Sequence, residues 1–160
     1  MTATSEIRLA LEALATLQES LAITDPRRIE RCAAFVFFPA PDKSMPEPIT
    51  WCNEVTGSRV VHSSGNDRHT FWTVRTQLFV KGPNVAEGAA IALEFYESLL
   101  VALEANLRLG GTLCKAIGIE GGAPSMNPIL QWNGEEYAGL NLVFNMQTEK
   151  AVTLAAPSAA

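Results

Sequence analysis

His62, Asp67 and His69 bring two imidazoles and a carboxylate into one short stretch. Such a set can hold zinc or another divalent metal. The spacing matches no short metal signature. A hairpin can bring the two histidines together, and solvation of a loop is the competing reading. A nucleophile–base pair needs Ser, Cys or Thr beside a histidine that a third group orients. Ser63 and Ser64 adjoin His62, but neighbours on an extended chain point apart. No Gly-x-Ser-x-Gly is present. Cys114 falls within an alternating segment with no histidine near it in sequence. Gly118, Ile119, Glu120, Gly121 and Gly122 follow a strand pattern, yet no Lys-Ser/Thr comes after them and no helix opens there, so neither nucleotide fingerprint fits. Glu135-Glu136 is an acidic pair on a hairpin. Trp51, Trp72 and Trp132 lack the basic company of a base-stacking platform and read as anchors of a core or an interface. The expectation is a chain with no catalytic set, no metal ligands and no cofactor.

The bulk properties narrow the class further. A chain of 160 residues with 48% apolar content supports one domain with a real core. No apolar run approaches the ~18 residues of a membrane span, and the N-terminus has no secretory pattern. Cys32, Cys52 and Cys114 are scattered and form no disulfide framework, which fits a reducing compartment. Twelve basic against 17 acidic residues give a net charge of -5, the wrong balance for a chain that grips phosphates. The basic residues cluster once, at Arg27, Arg28 and Arg31, as a solvated turn after a helix or a contact with an acidic partner surface.

The most legible elements lie at 70–108. Trp72, Val74, Thr76, Leu78 and Val80 alternate with Thr73, Arg75 and Gln77, the period of a strand with one apolar and one polar face. Lys81-Gly82-Pro83 is a turn, and Asn84 with Glu87 can cap a helix over about 85–108. Its stripe of Leu93, Tyr96, Leu100, Leu103 and Leu107 is widened by Ile91, Phe95, Leu99 and Ala102, so it is expected to be covered on two sides, with Gly110-Gly111 ending it. Residues 4–22 form an amphipathic helix with Ile7, Leu11, Leu14, Leu17 and Leu21 on one stripe, capped by Thr4 or Ser5, and Asp25-Pro26 ends it or begins a short second turn. Residues 33–38 form a short strand. Four prolines over 39–49 make an extended loop that includes Pro41, Asp42, Lys43 and Met45. Residues 50–55 and 59–63 read as two strands joined by Thr56-Gly57-Ser58, and 64–69 as a turn. Residues 112–119 read as a strand, 120–128 as a Gly/Pro loop, and 129–132 as a strand turned by Asn133-Gly134. Residues 137–149 form a second long strand, with Ala138, Leu140, Leu142, Phe144 and Met146 inward and Asn141, Asn145 and Gln147 outward. Residues 1–150 thus form one α+β domain, a mostly antiparallel sheet packed against an N-terminal and a central helix, and 151–160 a flexible tail or arm.

The outward row of the two long strands is neutral and polar: Thr73, Gln77, Asn141, Asn145 and Gln147, with Arg75 the lone charge. Amides in such a row suit a face covered by a like subunit or facing a passage, and they also sit well in water. Arg75 can then pair across an interface.

This order of elements, with Tyr137-Ala138-Gly139-Leu140 opening the last strand, resembles the tail terminator (tail completion) proteins of long-tailed bacteriophages over roughly residues 5–149. The resemblance implies an α+β subunit of a hexameric ring. The ring would cap the finished tail tube and join it to the head connector or stopper protein, in the virion after synthesis in the host cytoplasm. Genomic DNA would pass through without specific binding. The loops 39–49 and 120–128 and the tail from 150 would be joining surfaces, so Pro41, Asp42, Lys43, Met45, Arg75, Asn141 and Asn145 are the candidate contacts. A net acidic chain is consistent with that role, because each neutralised phosphate would add drag on moving DNA. The alternatives are a neighbouring joint component (a head-completion stopper or another minor tail protein) or a small cytoplasmic α+β enzyme or ligand-binding protein that uses His62, Asp67 and His69.

Overall fold

The computed structural model describes residues 5–25, 28–37, 48–63, 66–81, 85–119, 129–132 and 134–151. In chain order the elements are α1 (Glu6–Glu19), β1 (Ala22–Asp25), β2 (Arg28–Arg31), β3 (Ala33–Phe35), β4 (Ile49–His62), β5 (Asp67–Val80), α2 (Val85–Glu104), β6 (Gly118–Ile119), β7 (Ile129–Trp132) and β8 (Glu135–Ala151). The main sheet runs β3-β4-β5-β8-β6, with β7 also paired to β8. Every pairing in it is antiparallel except β3 with β4. The α+β expectation is therefore correct.

Strand alternation sets the layers. Val74, Thr76, Leu78 and Val80 of β5 and Ala138, Leu140, Leu142, Phe144 and Met146 of β8 are buried on one face. Against it lie Ala10, Leu11 and Leu14 of α1 and Ala92, Phe95, Leu99 and Leu103 of α2, which form one apolar core with it. The deepest line of α2 is thus Ala92, Phe95, Leu99 and Leu103, while Leu93, Tyr96 and Leu100 are half-buried and Leu107 is exposed beyond the helix end. α2 touches β8, β5, β1 and α1. Close approach of α2 to the sheet depends on Gly88, where an added Cβ would lie 2.8 Å from Ala138 Cβ.

A polar knot lies inside this core. Asn53 Nδ2 donates to Gln18 Oε1 (2.9 Å) and to the Phe35 carbonyl (2.9 Å). Asn53 Oδ1 accepts from Gln18 Nε2 (3.2 Å) and Thr76 Oγ1 (2.7 Å). Gln18, Asn53 and Thr76 are fully buried, so their mutual satisfaction avoids a desolvation cost that apolar neighbours could not repay. The knot ties α1, β3, β4 and β5 together. At the other end of α1, Ser5 caps the helix by accepting from Arg8 N, and Glu6 accepts from Arg68 Nη2 (3.1 Å) and Thr148 Oγ1 (3.0 Å). Glu6 therefore anchors the helix start to the sheet as well as favouring its dipole.

Four expectations are corrected. Residues 50–63 are one strand, β4, instead of two joined by a turn: Gly57 marks a register shift between Val55 and Gly57, a bulge that the extra residue makes within continuous pairing. α1 ends at Glu19 instead of 22 and is followed by the β1–β2 hairpin, whose first strand ends at Asp25. Arg28 and Arg31 thus lie on a strand; Arg27 falls outside the described residues. α2 stops at Glu104, and residues 105–117 are turns with Leu109, Gly110 and Gly111 at positive φ, so only Gly118–Ile119 of the expected 112–119 strand pairs. Most of the proposed joining surfaces, residues 39–47, 120–128 and 152–160, lie outside the described residues, as do Gly82, Pro83 and the Asn84 cap.

Candidate interface on the helix-free face of the sheet

Register fixes the second face of the sheet. Residues paired across antiparallel strands share a face. Phe79 is paired with Thr50 and Gly139, Gln77 with Cys52 and Asn141, Arg75 with Glu54 and Val143, Thr73 with Gly57 and Asn145, Phe71 with Arg59 and Gln147, and His69 with Val61 and Glu149. These rows all lie opposite the helices. The polar residues picked out from sequence therefore share this face, interrupted by the Arg75–Val143 pair: Thr73, Gln77, Asn141 and Gln147 are half-buried and Asn145 is exposed. Asn141 Oδ1 is buried without a hydrogen-bond partner among the described residues.

Three surroundings differentiate this face along its length. At one end Cys52, Phe79, Leu130 and Trp132 make a small second core, with Trp132 edge-on to Phe79 at 5.0 Å and Phe35 and Tyr137 packed around it. Gly139 permits that packing, because a Cβ there would overlap the Leu78 carbonyl oxygen and lie 2.7 Å from Leu130 Cδ1. In the middle, Arg75 pairs with Glu54 of the neighbouring strand. The reading of Arg75 as the lone charge on the outward row of the two long strands is corrected by Glu149, which lies on the same face of β8; in addition Glu54 of β4 faces Arg75 across the β4–β5 ladder. At the far end Arg59 stacks over Phe71 at 4.7 Å.

The outer part of β4 is exposed throughout from Thr56 to His62, including Val60 (50% exposed) and Val61 (41% exposed). β3 covers the β4 edge only at Thr50–Cys52. Among the described residues no strand pairs with the rest of that edge, which leaves a β-branched, acid-free run of backbone donors and acceptors.

His62 and His69 do not meet. His62 is opposite Arg68, and His69 follows Arg68 on the other face of β5. The cluster that does form among the described residues is His69, Cys114 and Glu149, whose ligand atoms all lie within 4.8 Å of one another. The sequence places Cys114 mid-strand with no histidine near it along the chain. It sits instead in the turns after α2, where its N–H donates to the Gln147 carbonyl at 3.0 Å. The β5–β8 register places His69 beside Glu149, and the turns after α2 add Cys114, which no sequence pattern announces. Burial first, and the Glu149 carboxylate second, push the Cys114 thiol up, opposed by Lys115 and Arg108. Trp51 and Trp132 are buried and Trp72 is half-buried, as anchors should be. Glu135 and Glu136 are exposed.

No protein-family model matches this chain, and no curated protein matches it.

Proposed function

We propose that this chain is a structural subunit of a phage virion, a tail terminator that assembles as a ring at the head-proximal end of the tail, with DNA passing through its centre. The observation that carries the reading is the polar patch on the helix-free face, where the amide-bearing pairs Gln77–Asn141 and Thr73–Asn145 flank Arg75–Val143, too polar for a core and free of Lys. Closed rings need two different complementary patches on each subunit. The amide face supplies one and the exposed outer run of β4 supplies a second. In this reading Asn141, Asn145 and the Arg75–Glu54 pair meet the next copy, while the tail tube protein and the head connector or stopper meet the ring's two ends. The acidic balance of the chain keeps phosphate affinity low, as a passage for moving DNA requires.

Native mass spectrometry and negative-stain microscopy of the purified protein, alone and mixed with assembled tail tubes, test this. The expected result is a cyclic oligomer of fixed copy number seated on one end of the tube. A chain that stays single and leaves both tube ends bare would refute it.

A further inference from the structure

We propose that His69, Cys114 and Glu149 form a three-ligand site for a zinc ion, with a fourth position left to water. Three separate segments supply the donors: β5, the turns that follow α2, and β8. His69 and Glu149 are direct cross-strand partners on the helix-free face. Cys114 is brought to them by its backbone bond to the Gln147 carbonyl, on the edge of β8. An imidazole, a thiolate and a carboxylate are each ordinary zinc donors, and zinc bonds of about 2.0–2.3 Å require only that the three atoms, now within 4.8 Å, draw in by roughly an ångström.

The surroundings also fit. The Gln147 side-chain amide lies 3.1 Å from His69 Nδ1. The contacting atom is Gln147 Nε2, which as placed donates to Nδ1; a half-turn of the amide would instead bring Oε1 to accept from Nδ1–H and leave the His69 Nε2 lone pair free for a metal, the usual arrangement behind a ligating histidine. Gln147 thus touches both neighbouring ligands, through its carbonyl to the Cys114 N–H and through its side chain to His69. Binding would pin the turns after α2 to the sheet. It belongs to the single chain, so it does not depend on ring assembly.

Titration of the reduced, chelator-treated protein with zinc, followed by calorimetry, should give one ion per chain, and cobalt should give a thiolate-to-metal charge-transfer band. In Cys114→Ser the cobalt band should vanish and zinc should bind at least about tenfold more weakly, with the circular dichroism spectrum unchanged. His69→Ala should weaken zinc similarly while retaining the fold. Absence of stoichiometric binding in the wild-type protein, or a cobalt band that survives Cys114→Ser, would overturn the proposal.

Discussion

Arg75 and Glu54 pair within the chain, and the proposed ring would present the same two charges to a neighbour. Their side chains are each about two-fifths exposed, so the pair itself contributes no more than about 1 kcal/mol to folding. Arg75→Glu should leave the fold intact and reduce ring formation in mass photometry. The double variant Glu54→Arg, Arg75→Glu restores the pair within the chain but reverses the charges offered to a neighbour. It should stay as poorly assembled as the single variant. Recovery of assembly by the double variant would assign the whole effect to the internal pair. Gly139 makes a different demand. Its missing side chain lets β8 lie against Leu78 and Leu130, and an added methyl must displace backbone. Gly139→Ala should cost about 3 kcal/mol in urea unfolding; a loss below a few tenths of that would mean the strands part without strain.

At the scale of elements, the knot around Asn53 joins a helix to three strands. Asn53→Leu removes both side-chain bonding groups and leaves Gln18 and Thr76 buried and short of partners, so about 3 kcal/mol of stability should be lost by chemical denaturation. The apolar alternation of β5 and β8 and the stripe of α1 were legible because period and burial agree residue by residue. That Gln18 and Thr76 both bond Asn53 is not legible in the sequence. Each lies on an otherwise apolar face, and the partner of a buried polar group is set by tertiary register. The same limit hid the His69–Cys114–Glu149 cluster and the Glu54 partner of Arg75. Gly57 misled in another way: a glycine flanked by Thr and Ser reads as a turn, yet in β4 it absorbs a bulge in a long ladder. The amide face was legible as a row on two strands. Its extent was not, because it depends on β4 running unbroken beside them.

For the molecule as a whole, the buried thiols set a limit at high pH. Burial pushes Cys52 up to about 12 from an ordinary 9.0, and burial is also the main cause that takes Cys32 up to about 11. Above pH 9 the unfolded chain releases protons that the folded chain retains, so stability falls as pH rises, by up to about 1.4 kcal/mol per pH unit for each thiol. Urea melts between pH 8 and 11 should show this decline, and a Cys52→Ala variant should show a shallower one; a flat profile would contradict the buried placement of these groups. The proposed assembly rests on another feature of the molecule, a sheet with helices on one face and a second, amide-bearing face that would meet another copy. An electron cryomicroscopy structure of the assembled particle tests that claim most directly. The account predicts a closed ring in which Gln77, Asn141 and Asn145 of each copy are buried against the next; a ring closed through other surfaces, with these side chains in solvent, would contradict it.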